Sequence, residues 1–230
     1  MQTPMKISAE LKQLFEATNN KKILDKGTYL YQEGMVASEL YYILKGKVQI
    51  SKVIPDGKEL SIKIAAPGDV IGDLSLFCSS SSYMLNAKCI ENVEVLAINK
   101  VIFEDKLSST PHLTLEWLKY VQLQNQKNQT KFRDLILHGK KGALYSTLIR
   151  LSNSYGTLTP KGIVIELSLT NQELANFCGT SREVVNRMLN DLKRDKVISF
   201  EKGIITIHQL SHLKNEIDCE DCPIEICRID

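Results

Sequence analysis

Three of the six cysteines in this 230-residue chain lie within nine residues near its carboxyl end, in the segment CEDCPIEIC. They are Cys219, Cys222 and Cys227, in C-x2-C-x4-C spacing. Thiolates spaced in this way can share one iron–sulfur cluster, whereas a C-x2-C pair is also half of a zinc site. The spacing alone does not decide between these two metals. His208 and His212 precede the cysteines closely and are further candidate ligands.

A second group of polar residues lies in LTNQELANFCGTSREVVNRMLNDLKRDK. Thr170 and Glu173 have the spacing of a capping box, which predicts the start of a short helix that Gly179 ends. Thr180 and Glu183 repeat that spacing and predict the cap of a second helix. Two short helices joined by a tight glycine turn form a helix-turn-helix.

The second of these helices predicts contacts with double-stranded DNA. Its polar face comprises Ser181, Arg182, Glu183, Asn186 and Arg187. Arginine can donate to guanine O6 and N7, and glutamate can accept from cytosine N4. The segment VISFEKGIITI follows and predicts a two-stranded wing that turns at Lys202 and Gly203.

The first half of the chain has the pattern of short strands: TYLYQ, LYYIL, KVQIS, ELSIKIA and VEVLAI. Gly34, Gly46, Gly57 and Gly68 separate them at intervals of twelve, eleven and eleven residues. Strands with turn residues at such intervals predict an antiparallel sandwich or barrel.

From Pro111 to Gly139 the chain predicts one long helix. A heptad seam runs along it, with two polar residues midway: Leu118, Val121, Asn125, Asn128, Phe132 and Leu135. Such a seam predicts a homodimer. The alternative is a helix that packs only against its own domain.

Composition and charge indicate a globular protein, with 43% hydrophobic and 24% charged residues. No apolar run approaches the roughly 18 residues of a membrane span, and no signal peptide is found, so we expect a cytoplasmic protein. Residues 211–230 carry two basic and six acidic residues, a net charge of −4. This acidic tail follows a basic segment that is suited to polyanions.

A roll of short strands, a long helix and a winged helix-turn-helix together resemble the CRP/FNR family of bacterial transcription regulators, over nearly the whole chain. The resemblance implies an α+β protein: a cyclic-nucleotide-binding-like jelly roll (an antiparallel β-roll) in residues 1–110, a dimerisation helix in 111–138, a winged helix-turn-helix in 139–210 and a cysteine-bearing tail in 211–230. It also implies a homodimer that binds double-stranded DNA and contacts RNA polymerase. In SREVVNR, Arg182, Glu183 and Arg187 match base-contacting positions, which implies TGTGA-like inverted repeats.

The β-roll of this chain departs from the pattern of the family members that bind cyclic nucleotides. Those members use a glutamate for the ribose and an arginine for the phosphate. Here Asp73 stands at the position of the acid, serines fill 79–82 where the arginine is expected, and the first arginine of the chain is Arg133. A phosphate would lack its guanidinium partner. We therefore expect no cyclic nucleotide to bind.

The tail, together with RDLILHGKKGALYSTLIRLSNSYG, resembles the bacillus-type FNR branch of the family. That resemblance implies a [4Fe-4S] cluster bound by Cys219, Cys222, Cys227 and Asp134, the last of which lies near the end of the long helix. The remaining cysteines have apolar neighbours and are predicted to be small core residues: Cys78, Cys89 and Cys178.

These observations predict an oxygen-responsive transcription activator without enzymatic activity. The sequence contains no nucleophile–base pair, Walker loop or dinucleotide fingerprint. Two alternatives stay open: a DNA-binding regulator with a structural zinc or a thiol switch in its tail, and an iron–sulfur redox protein.

Overall fold

The structure, a computed structural model, describes residues 6–78, 82–201 and 203–230 and divides into two compact units. The first unit comprises residues up to Ile54, Ile62–Gln124 and Asp230. The second comprises Pro55–Ser61 and Asn125–Ile229. No described helix is both long and apolar enough to cross a membrane.

Eight strands form the β-roll: β1 (Lys21–Leu24), β2 (Tyr29–Tyr31), β3 (Glu39–Lys45), β4 (Val48–Val53), β5 (Glu59–Ala65), β6 (Val70–Gly72), β7 (Asn86–Cys89) and β8 (Val93–Asn99). One sheet has the order β1-β8-β3-β6 and the other β2-β7-β4-β5. The paired strands are antiparallel; in the first sheet, for example, Tyr41 lies opposite Ala97 and Ile43 opposite Val95. This arrangement confirms the predicted antiparallel roll.

Strand β3 is buried on both faces, which explains its nearly continuous apolar sequence. Because side chains alternate along a strand, Tyr41 and Ile43 enter the core inside the roll. Leu40 and Tyr42 point the other way, into a second core beneath the helices. The same alternation holds on β8.

Helices α1 (Ala9–Glu16), α2 (Lys100–Ser109) and α3 (Pro111–Leu137) begin in the first unit. In the second core, the Phe103 ring meets the Trp117 ring edge-on at 5.0 Å. The Tyr120 hydroxyl of α3 donates to the Val70 carbonyl (3.1 Å) and accepts from the Val70 N–H (3.0 Å). These contacts fix the first turns of α3 against β6.

The second unit holds α4 (Gly139–Tyr155), β9 (Gly156–Thr159), β10 (Gly162–Ile165), α5 (Asn171–Cys178), α6 (Arg182–Arg194), β11 (Ile198–Glu201), β12 (Ile204–Ile207) and α7 (Leu210–Asn215). Its sheet has the order β11-β12-β10-β9. Gly139 adopts a φ of +58°, in the region that favours glycine, and it separates α3 from α4 as predicted. The β11–β12 hairpin is the predicted wing; Lys202, at its turn, lies outside the described residues.

The strands that the sequence did not predict are short or weakly patterned: β1, β6, β7, β9 and β10. Cys89 and Cys178 are buried as predicted, but the prediction for Cys78 was wrong because this residue is exposed. Its neighbour Phe77 is exposed as well, with a φ of +60° that turns the chain outward after β6.

Candidate functional site

The cysteine-bearing tail folds as a series of tight turns after α7. The Cys219 N–H donates to the Lys214 carbonyl at 3.0 Å. Asp218 and Asp221 adopt positive φ values of 45° and 48°, and aspartate is among the residues that tolerate this region. Further on, the Cys227 N–H donates to the Pro223 carbonyl at 3.0 Å. The turns therefore fix the spacing of the three thiols.

Side chains near the end of α4 anchor the last residues of the tail. The Asn153 amide donates to the Cys227 carbonyl at 2.7 Å, and Arg150 Nη1 donates to the Ile226 carbonyl at 3.2 Å. In return, Arg228 donates to the Asn153 carbonyl at 2.8 Å, and the Ile229 side chain is buried. The tail is thus docked on α4 through backbone and side-chain bonds.

The tail, α3 and α4 line a small cavity that is partly open to solvent. Its lining brings together four residues from separate parts of the sequence: Asp134, Cys219, Cys222 and Cys227. These are the four residues that the sequence predicted as cluster ligands.

Asp134 is buried, and its carboxylate is fully engaged by cations and a hydroxyl. Oδ2 accepts from Ser146 Oγ (2.6 Å) and Arg150 Nη2 (2.9 Å). Oδ1 accepts from Arg133 Nε (3.1 Å) and Nη2 (2.9 Å). Burial by itself would raise the pKa of Asp134, but the bonds from Ser146, Arg150 and Arg133 outweigh it and hold the pKa below its ordinary value.

Two arginines bring positive charge to this cavity. Arg150 has a side chain only 2% exposed, whereas that of Arg133 is 27% exposed. Arg133 also contacts the tail, through Glu220 and through Cys222 Sγ at 3.8 Å. Burial raises the pKa of the Cys227 thiol, and Arg150 acts in the opposite direction. Three thiolates and a carboxylate would carry four negative charges, part of which a guanidinium group can offset.

The donor set fits an iron–sulfur cluster, because three thiols and one carboxylate supply four anionic ligands around one space. In the described part of the chain, no three His, Cys, Asp or Glu side chains converge closely enough to hold a single metal ion. The ligands of a cluster need not converge in that way, since each binds a different iron.

The two histidines that the sequence proposed as rival ligands lie elsewhere. His208 contacts the Lys161 carbonyl at 2.5 Å and Ser199 Oγ at 2.9 Å, on the wing sheet. The His212 ring lies beside that of Tyr145, at 6.4 Å between centroids. The sequence analysis did not identify three further polar residues that line the cavity: His138, Ser146 and Arg150. The sequence signal that could have identified them was an arginine on the face of α4 that is buried.

The helix-turn-helix has the predicted geometry, with one correction at its second cap. Thr170 and Glu173 form a complete capping box on α5, and Gly179 ends that helix at a φ of +58°. The cap of α6 is Ser181, whose hydroxyl accepts from the Val184 N–H, and not Thr180 as predicted. Thr180 lies before the cap, so the cap of α6 is one residue later than predicted.

The predicted recognition face of α6 is exposed, while Val185, Leu189 and Leu192 are buried beneath it. Arg182, Glu183 and Arg187 are exposed to solvent. Asn186 is exposed too, and its Oδ1 accepts from the Asn171 amide at 3.0 Å. The helix N-terminus and Ser181 hold the pKa of Glu183 below its ordinary value, so this residue is an anionic acceptor.

Three stacked tyrosines lie in the core inside the β-roll. The rings of Tyr31 and Tyr83 stack at 4.0 Å between centroids, and Tyr31 stacks on Tyr41 at 5.9 Å. Asp73, which stands where the cyclic-nucleotide binders have an acid, is paired with Lys100 at 2.9 Å. Residues 79–81, where the phosphate-binding arginine was expected to be missing, lie outside the described residues.

Comparisons with known proteins match both halves of the chain. The profile of the cyclic nucleotide-binding domain matches residues 21–110, and that of the Crp-like helix-turn-helix domain matches residues 142–216. The Anaerobic regulatory protein of Bacillus subtilis (strain 168) is 51% identical over 225 residues, which cover 97% of this chain and 94% of that protein. The Lactate racemization regulatory protein of Lactiplantibacillus plantarum is 31% identical over 83% of this chain and 87% of its own length.

Solved structures share the fold. The c-di-GMP responsive global regulator CLP of Xanthomonas campestris aligns with a TM-score of 0.76 at 23% identity and covers 87% of this chain and 99% of its own. FixK2 of Bradyrhizobium japonicum aligns with a TM-score of 0.72 at 19% identity and covers 85% and 96%.

Proposed function

The chain belongs to the CRP/FNR family of DNA-binding transcription regulators and is not an enzyme, and from this premise we propose that it regulates transcription in response to oxygen through a [4Fe-4S] cluster. The ligands in this proposal are Cys219, Cys222, Cys227 and Asp134. The observation that carries it is that these four residues line one cavity. The name of the Bacillus subtilis relative, an anaerobic regulatory protein, supports the same signal.

The residues of this chain would hold the cluster in the following way. The tail turns present three thiols, α3 presents the Asp134 carboxylate, and the buried Arg150 offsets part of the anionic charge. When bound, such a cluster supplies iron that oxygen attacks, so that loss of the cluster signals the presence of oxygen. Carboxylate is a harder ligand than thiolate and suits a soft cluster less well, so Asp134 would be the weakest of the four ligands.

We propose that the protein acts as a homodimer in the cytoplasm. Besides Leu137, four apolar side chains on α3 are more than half exposed: Leu115, Leu118, Phe132 and Ile136. They follow a heptad pattern that shares Leu118 and Phe132 with the predicted seam, whereas Val121 and Leu135 are half-buried. A second copy of α3 would cover this stripe. The seam does not include the tail, so we expect the dimer to persist without the cluster.

DNA recognition is assigned to the exposed face of α6, which comprises Ser181, Arg182, Glu183, Asn186 and Arg187. In a dimer, two such helices reach successive major grooves about 34 Å apart only in one orientation. The resemblance to the family favours TGTGA-like inverted repeats, activation and contact with RNA polymerase. Because Asp73 is paired with Lys100 and three stacked tyrosines lie inside the roll, we propose that cyclic nucleotide is not the signal.

The cluster would act as a clasp at the junction of α3 and α4. Asp134 lies shortly before Gly139, and the tail that bears the thiols follows the wing and docks on α4. Loss of the cluster would release one side of this clasp and the acidic tail with it. We expect tight specific DNA binding only with the cluster.

Anaerobic measurement of iron, acid-labile sulfide and the absorption spectrum, followed by sizing and DNA titration, tests the proposal. The samples are cluster-loaded protein, air-exposed protein and Cys227→Ser, with Cys78→Ser as the matched control because Cys78 is exposed and lies in the other unit. Zinc without sulfide would point to a structural zinc site. Monomers without the cluster would mean control through dimerisation, and equal DNA binding in all samples would mean that the cluster is not the switch.

A further inference from the structure

The two oxygens of the Asp134 carboxylate are held by groups of different character. Oδ2 accepts from Ser146 and Arg150, and the Arg150 side chain is only 2% exposed. Oδ1 accepts from both Nε and Nη2 of Arg133, whose side chain is 27% exposed. One oxygen is therefore fixed by buried groups, and the other by a group that has a path to solvent.

Arg133 has a second contact inside the cavity. Its Nη2 lies 2.9 Å from Asp134 Oδ1 and 3.8 Å from Cys222 Sγ. A single cationic group thus touches both a carboxylate oxygen and a sulfur that the proposed function assigns as ligands. Its Nη1 pairs with Glu220, an exposed residue between Cys219 and Cys222. Glu220 lines the cavity but is 63% exposed, so it offers Arg133 a second carboxylate partner on the solvent side.

We propose that the Arg133 guanidinium stands in for the cluster in the cluster-free protein and leaves Oδ1 when the cluster binds. Ser146 and Arg150 keep Oδ2 in both forms and so aim Oδ1 at the three thiols. Arg150 is then a positioning residue, and Arg133 is a displaceable one. This inference rests on the cluster site proposed above.

The physical reason for a stand-in is the cost of an unpaired buried charge. A carboxylate that is buried without a cation is strongly disfavoured. Arginine suits the role because its charge is permanent and its planar fork can donate two bonds to one oxygen while it faces a neighbouring group. The exchange keeps the site folded without the cluster, ready for reloading.

The test compares Arg133→Gln, Arg150→Gln and the matched control Lys141→Gln in cluster-loaded and cluster-free protein. Lys141 also holds the tail, through Glu216 at 2.5 Å, but the structure gives it no bond to Asp134 or to the thiols. The cluster-free melting temperature is measured anaerobically with reductant and chelator. The half-time of cluster loss to a chelator is measured from the anaerobic absorption spectrum.

We expect Arg133→Gln to lower the cluster-free melting temperature by about 2–6 °C, because it removes charge-assisted bonds from a half-buried group. It should leave the half-time of cluster loss within about twofold of that of the unmodified chain. Arg150→Gln should shorten that half-time by about tenfold or more, as the loss of a group that orients a ligand does. Lys141→Gln should change neither quantity appreciably.

The exchange is wrong if Arg133→Gln shortens the half-time as much as Arg150→Gln does, or if it leaves the cluster-free melting temperature equal to that of Lys141→Gln. Should Arg133→Gln not fold, Arg133→Lys replaces it, since it keeps the charge but lacks the fork. If the unmodified chain takes up no iron and sulfide, the proposed function fails instead. The inference about the cluster-free protein is then judged by melting temperature alone: Arg133→Gln should melt below Lys141→Gln, and equal values would overturn it.

Discussion

Replacing Asp134 with asparagine should destabilise the cluster-free protein far more than an ordinary surface substitution. Asp134→Asn preserves the shape of the side chain but removes the charge that faces two guanidinium groups. The Arg150 side chain, at 2% exposed, would lose its only carboxylate partner among the bonds found for it. Its remaining partners are Ser146 Oγ at 3.1 Å and the Ile226 carbonyl at 3.2 Å.

The size of the effect follows from these contacts. Removing one member of a buried ion pair costs about 3–5 kcal/mol. Arg150 keeps two neutral acceptors and Arg133 can reach solvent, so we expect the lower end, about 3 kcal/mol. Glu220→Gln is the matched control, since Glu220 also pairs with Arg133 but is 63% exposed. An exposed pair contributes roughly 1 kcal/mol or less.

The assay is urea unfolding of reduced, chelator-treated protein followed by far-ultraviolet circular dichroism. Trp117 fluorescence serves as a separate probe, because Trp117 lies in the first unit and Asp134 in the second. A double variant, Asp134→Asn with Arg150→Met, should recover part of the loss, since it removes the unpaired charge. If Asp134→Asn costs no more than Glu220→Gln, the carboxylate does not hold the cluster-free site together.

Three further results are expected. Arg182→Ala and Glu183→Ala should each cost roughly 1–3 kcal/mol of binding free energy on the preferred DNA site and less on a scrambled one. Equal losses in both titrations would mean that these residues contact phosphates or have a structural role. Millimolar cyclic AMP should change neither DNA affinity nor melting temperature, and a ligand-dependent rise in melting temperature would contradict the account of the β-roll. Burial would raise the pKa of Asp73, but bonds from Ser75 and Lys100 hold it below its ordinary value. Its stabilising effect should therefore be full above the unfolded pKa of about 4 and be lost as the pH falls further, and Asp73→Asn should flatten that part of the stability–pH curve, whereas an unchanged curve would refute the pairing.

Local patterns in the sequence predicted many, but not all, of the elements of the fold. Alternation predicted the longer strands of the roll, and the capping box with Gly179 predicted the helix-turn-helix, because caps and periodicity depend on near neighbours. Short strands such as β6 and β9 were missed, since three or four residues carry too little periodicity and form only when a partner strand is present. The cap of α6 was placed one residue early because two hydroxyl residues, Thr180 and Ser181, both satisfy the local rule.

For the candidate site, the sequence and the tertiary structure each supplied a different part of the prediction. The spacing of Cys219, Cys222 and Cys227 within one short segment was enough to predict a shared metal centre, and a resemblance supplied Asp134. Only the fold placed Asp134 at the same cavity as the thiols, because some 85 residues separate them along the chain. Only the fold showed that Arg133 and Arg150 lie beside the carboxylate. From sequence alone, an arginine on a helix is expected to be exposed to solvent, and only the packing shows that it is buried. The spacing of the cysteines along the sequence determines which thiols can bind one metal centre, whereas burial in the fold determines which charged groups must lie beside the ligands.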